Sequence, residues 1–306
     1  MKSNPDHPRV GVALGSGSAR GWSHIGILRA LEEMGVRPAV VAGCSIGSIV
    51  GAAQVTGHLD DLETWVRSLR KRDVAAFFDI NWRFNGLVDA PRLREHLARY
   101  VAPESALIEK LDTAYGSVAT NLVNGREVWF TEGKVLDSVM ASIALPGLFA
   151  PFRHQGHWLV DGGLVNPVPV SLCHALGAEV VIAVNLNGDI LGKHFAKARE
   201  REENGNGALE SLIDTLRGYS AGLFPDRPTA EETPPSLFDT IASSINITQD
   251  RITRSRMAGD PPDVLLTPRL AQVGLLEFHR AGEAIDQGRA CVERMRPAIE
   301  FALGQG

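Results

Sequence analysis

Residues 40–53, VVAGCSIGSIVGAA, pass from an apolar run into small and apolar residues at helical spacing, with hardly a break between. A strand that is apolar at every position must be covered on both faces, so a chain that turns from it straight into a helix reads as α/β. The same pattern stands upstream. Residues 10–14 (VGVAL) read as a buried strand, and GSGSARG leads into a helix marked by Ile25, Leu28, Leu31 and Met34. Two successive strand–helix units, the second strand at 39–43, call for a mostly parallel sheet between helices.

The same reading continues along the chain. Strands are expected at 117–122, 127–130, 158–160, 179–185 and 263–267, with helices at 135–144, 238–257 and 278–302. Residues 193–207 are charge-rich and read as a solvated helix end plus loop; 224–236 hold four prolines and read as a mobile loop. No internal repeat is evident. The 306 residues are read as one domain, with its core motifs at 10–185 and 186–306 completing it.

A formal charge of −5 gives no basic footprint for nucleic acid. Cys44, Cys173 and Cys291 are too far apart for a zinc site and odd in number, so neither a metal nor a disulfide framework is expected and a reducing cytoplasm is the simpler location. No apolar run long enough for a membrane span is seen.

Gly43-Cys44-Ser45-Ile46-Gly47 matches the nucleophile elbow, a sharp strand-to-helix turn that lifts a serine hydroxyl above the sheet edge. Gly43 and Gly47 would let strand and helix approach, and the helix N-terminus would favour a developing oxyanion. The alternative is a serine packed into a close βα corner. Residues 15–21 run Gly-x-Gly-x-x-x-Gly, one residue longer than the dinucleotide fingerprint, and the next strand lacks an acid for a ribose. A glycine-rich turn with exposed amides also suits an oxyanion hole, and Arg20 would bring positive charge. For the base, Asp161 closes a strand and opens Asp161-Gly162-Gly163, either as a functional carboxylate or as a turn aspartate. A Ser-His-Asp triad would have to draw on His174, His194 or His279, none of which sits in a convincing loop.

Four blocks carry a resemblance: LGSGSARGWSHIGIL (14–28), GCSIGSIVGA (43–52), ASIALPGLFAPF (141–152) and VDGGLVNPVPV (160–170). In order and separation they resemble the patatin-like phospholipases, most closely the bacterial branch related to neuropathy target esterase. The resemblance implies a three-layer α/β fold, a Ser45–Asp161 dyad without histidine, and an oxyanion hole from the amides of Gly15, Ser16, Gly17 and Ser18 with Arg20 beside it. It implies no cofactor, and a lipid or ester substrate cleaved through an acyl-enzyme. The family commonly has glycine where this chain has Ser16 and Ser18, and its elbow often reads GTSAG rather than GCSIG. A non-catalytic adaptor retaining the fold is the rival from another class.

Arg67, Arg70, Lys71 and Arg72 precede Val74, Phe77, Phe78, Ile80, Trp82 and Phe84. This segment reads either as a peripheral contact with anionic lipid or as a solvated helix end capped by core aromatics. Cys44, though next to Ser45, reads as a small buried filler.

Overall fold

The computed structural model describes residues 8–77, 90–189 and 237–305. Among them an eight-stranded sheet forms the centre. Strands β1 (Val10–Leu14), β2 (Val40–Cys44) and β3 (Ala114–Asn121) run parallel to one another, as do β7 (Val180–Val184) and β8 (Val264–Leu266) on the other side of β1. β4 (Glu127–Phe130) and β6 (His157–Asp161) pair antiparallel to β3, and β5 (Phe152–His154) closes the edge against β6. The sheet order is β5-β6-β3-β2-β1-β7-β8, with β4 branching from β3.

The apolar strands are explained by burial on both faces. Val12, Leu14, Ile182 and Val184 join the larger core cluster, whereas the intervening Ala13, Val181 and Ala183 join a second cluster across the sheet. On the larger side lie α1 (Ser23–Glu33), α2 (Ile46–Val55) and α9 (Ala281–Ala302), contributing Ile25, Leu31, Val50, Ile285 and Val292. On the other side lie α7 (Val170–Ala175), through Leu172 and Cys173, and Met257 near the end of α8 (Leu237–Gly259). This is the three-layer, mostly parallel arrangement that the two strand–helix units called for.

Several boundaries differ from the sequence reading. β2 runs to Cys44, which pairs in register with Val118. The last helix begins at Ala281, after a 3-10 turn at Phe278–Arg280. The reading passed over α3 (Leu59–Ser68), α4 (Lys71–Phe77) and α5 (Ala90–Tyr100); α6 (Val135–Ser142) ends two residues earlier than expected. The charged stretch 193–207 with His194, the proline-rich 224–236, and Phe78, Ile80, Trp82 and Phe84 lie outside the described residues, as does the side chain of Phe77.

Candidate active site

Ser45 stands between β2 and α2 with φ 54° and ψ −124°. That is costly backbone for a non-glycine residue, and it aims the side chain away from the sheet. The turn is held from several sides. The Ser45 amide donates to Ser142 Oγ at 2.9 Å, and the Ser45 carbonyl accepts from the amide and hydroxyl of Ser48 at 2.8 and 2.6 Å. A side chain at Gly47 would strike the carbonyls of Leu14 and Gly15, so only glycine lets α2 lie this close to the end of β1.

Asp161 is the last residue of β6 and is buried. Its amide donates to Ala144 O at 3.0 Å and its carbonyl accepts from Thr120 Oγ1 at 2.8 Å, so the backbone is fixed from two elements. Oδ1 accepts the Gly163 amide at 2.7 Å, and Ser45 Oγ donates to Oδ2 at 2.5 Å. Burial raises the carboxyl pKa to about 6, against the opposing pull of the Ser45 hydroxyl and the Gly163 amide. Such a carboxylate is a stronger base than a solvated one while staying largely ionised at neutral pH.

The glycine loop lies at the carboxyl ends of β1 and β7, where open parallel sheets place their ligands. Its four amides are not equivalent. Gly15 N donates to Val184 O at 3.2 Å and Ser16 N to Pro167 O at 2.8 Å, so neither is free to face an oxyanion. The amides of Gly17 and Ser18 make no hydrogen bond among the described residues, and both residues line the cleft. Of the four expected donors, two thus have their amides bonded elsewhere.

Arg20 does not sit in solvent beside the site. It is buried, donating from Nε to Gly17 O at 3.1 Å and from Nη2 to Asn246 Oδ1 at 2.9 Å. Burial pushes its pKa down to about 10. The Gly17–Ser18 peptide is trans, so fastening the Gly17 carbonyl to Arg20 turns the Ser18 N–H the opposite way. His24 fastens a carbonyl of the same loop two peptides earlier. Its Nε2 meets Gly15 O at 2.8 Å, a contact that requires the proton on Nε2, and burial lowers its pKa to about 4 so that it stays neutral.

An apolar cleft opens from Ser45 and Asp161. Its atom-free space is about 1010 Å³ with the open mouth included, and Trp22, Ile49, Trp65, Leu97, Leu145 and Phe278 form much of its wall. Leu69 and Val74 also line it, so the basic segment adjoins the cleft, while Arg67 pairs with Glu63 at 2.9 Å. No histidine among the described residues hydrogen-bonds to Ser45 or Asp161. His174 lies on α7, facing Asp260 at 3.7 Å, and His279 sits in the 3-10 turn before α9. Cys44 is buried, and burial, with Asp161 and Glu127 nearby, pushes its thiol pKa up.

Sequence reasoning missed Ser142, His24 and the polar contribution of α8. Ser142 and His24 fall inside quoted blocks and were legible there only as residues, not as partners. Asn246, Gln249, Asp250 and Thr253 recur at helical spacing and are all buried. A polar stripe of that spacing is the signal that was available.

A serine hydroxyl bonded to a buried carboxylate lines an apolar cleft beside two amides without a hydrogen bond among the described residues, an arrangement suited to acyl transfer. The patatin-like phospholipase family model matches residues 12–174. An NTE family protein of Mycobacterium tuberculosis is 33% identical, covering 96% of this chain and 93% of its own length. Lysophospholipase NTE1 of Pyricularia oryzae is 30% identical over 91% of this chain, which spans 18% of that protein. The chain belongs to the patatin-like phospholipase family and is a lipid ester hydrolase.

Proposed function

We propose that the chain is a serine acyl hydrolase that cleaves carboxylic esters of lysophospholipids or related lipids through Ser45, Asp161 and an acyl-enzyme. The observation that carries this is the 2.5 Å contact from Ser45 Oγ to Asp161 Oδ2 in the wall of the apolar cleft. Asp161 takes the Ser45 proton as Oγ attacks the ester carbonyl. The Gly17 and Ser18 amides receive the oxyanion, each contributing on the order of 3 kcal/mol to the transition state. The protonated Asp161 then hands its proton to the departing alkoxide, and water reverses the path on the acyl-Ser45 ester.

The cleft wall favours an acyl chain. Among the described residues no lysine or arginine lines it, so a phosphate head group finds no cation there and belongs outside the cleft. The fungal relative's name, lysophospholipase, points the same way. Arg70, Lys71 and Arg72 stand in the chain between Leu69 and Val74, which line the cleft, and would meet an anionic lipid surface beside it. Salt-sensitive liposome binding that Arg70→Glu/Lys71→Glu leaves unaltered would remove that contact.

The test is a turnover screen against lysophosphatidylcholine, a diacyl phospholipid and simple esters of graded length, with Ser45→Ala as control. Turnover of at least one class, abolished by Ser45→Ala, is expected. No turnover, or turnover that survives the substitution, contradicts the reading.

A further inference from the structure

Besides Ser45, Asp161 and Ser18, the cleft wall carries two polar side chains, Gln249 and Ser16, and both lie beside Asp161. Gln249, on α8, is 3% exposed and reaches the cleft. Its Oε1 accepts from Asn187 Nδ2 at 3.0 Å, which fixes the carboxamide and leaves Nε2 as the forward end. Nε2 donates to nothing among the described residues, and the Ser16 hydroxyl likewise makes no hydrogen bond there. Both groups lie beside the Asp161 carboxylate, on the side of Oδ1. Gln249 Nε2, Asp161 Oδ1 and Ser16 Oγ all lie within 3.1 Å of the point where a side chain on Gly163 would begin. Gly163 is glycine because that point must stay clear.

The chemistry requires an oxygen beside Asp161 twice. In acylation the Ser45 proton passes to Asp161, the Oγ–carbonyl bond forms, the carbonyl–alkoxide bond breaks, and the proton moves from Asp161 to the leaving oxygen. In deacylation water gives a proton to Asp161, its oxygen bonds to the carbonyl carbon, the Oγ–carbonyl bond breaks, and the proton returns to Oγ. An amide donor and a hydroxyl that can donate or accept are the uncharged groups suited to holding such an oxygen.

We infer that Ser16 Oγ and Gln249 Nε2 form a hydroxyl-binding notch, which holds the alcohol oxygen as it leaves and the water that replaces it. This rests on the hydrolase reading. The family that the sequence resembles commonly has glycine at the position of Ser16, so this hydroxyl is a feature of the present chain. Asn187 is a positioning residue for the notch.

Single-turnover kinetics with Gln249→Met and Ser16→Gly test it, using a p-nitrophenyl ester and an alkyl ester of the same acid. Acylation is read as alcohol release and deacylation as decay of the acyl-Ser45 mass. p-Nitrophenolate leaves without needing a proton, so its release should stay within about twofold of the unsubstituted protein, while deacylation slows on the order of tenfold or more. Acylation by the alkyl ester should fall by a similar factor. Equal loss in every step, or none, would overturn the notch while leaving the hydrolase reading intact. Should Gln249→Met fail to fold, Ser16→Gly carries the same comparison alone. An unsubstituted protein that forms no acyl-enzyme would overturn both.

Discussion

Ser45 and Asp161, 116 positions apart in the chain, share a hydrogen bond of 2.5 Å, and the two ends of that bond are held very differently. Ser45 sits on strained backbone at a strand–helix turn, whereas Asp161 is clamped by Thr120, Ala144 and Gly163 at the end of an antiparallel strand. The carboxylate is the fixed member. It needs that fixing, because a buried charge with so few partners is tolerated only where the surroundings leave it no alternative position.

The raised pKa of Asp161 sets a pH profile for both activity and stability. Activity needs the ionised carboxylate, so kcat/KM should climb with pH through a midpoint near 6 and then level off. Stability runs the other way. Because the folded value of about 6 lies above the ordinary value of about 3.9, the native state holds the proton more tightly. That contribution is complete below pH 4 and is lost as pH rises through about 6, amounting to about 3 kcal/mol. Asp161→Asn cannot ionise and should lack this dependence. Urea midpoints of the two proteins at pH 4.5 and pH 8 check it: their difference should shift toward the variant at the higher pH.

In the proposed mechanism Arg20 positions the Ser18 amide by holding the Gly17 carbonyl. Arg20→Met should lower kcat about 10- to 100-fold with KM within about twofold, since the oxyanion donor is needed only in the transition state. Removing the guanidinium also leaves the buried Asn246 Oδ1 without its donor, at a cost of about 1–3 kcal/mol in stability. Steady-state kinetics beside a melting curve separate this from general damage.

Much of the architecture could be read from the chain because the strands that position the site are apolar throughout: residues 10–14, 40–43 and 180–184 admit few other interpretations. The nucleophile turn and the DGG turn follow from local chemistry in the same way. The amphipathic helices α3 and α5 were overlooked because their charged faces interrupt the apolar pattern, and yet Leu62, Val66 and Leu97 of those helices are fully buried. Pairings across the chain were beyond reach. Which loop amides stay free depends on where Val184 and Pro167 place their carbonyls, and the burial of Arg20 depends on Asn246, 226 positions away. Local spacing carries no record of either.

Ser18 holds φ 51°, a conformation that favours glycine. Ser18→Gly should therefore stabilise the fold by about 1 kcal/mol, raising Tm by about 2 °C, and it leaves the amide donor in place. Differential scanning calorimetry reads this directly. A lower Tm would mean that the serine hydroxyl contributes more than its backbone costs.

Leu97 is fully buried on α5 and lines the cleft that the acyl chain would occupy. Leu97→Trp fills part of that space, at an overpacking cost of about 1–3 kcal/mol. The acyl length giving greatest turnover should fall by several carbons, with short esters still cleaved. An unchanged optimum across a series of p-nitrophenyl esters would place the acyl chain elsewhere.

Reaction with a fluorophosphonate, followed by peptide mapping, tests the central claim most directly. The account predicts one phosphonylated residue, Ser45, with labelling slowed at least about a thousandfold in Asp161→Asn, whose amide cannot take the proton. Labelling at a different residue, or at Ser45 with an equal rate in both proteins, would contradict it.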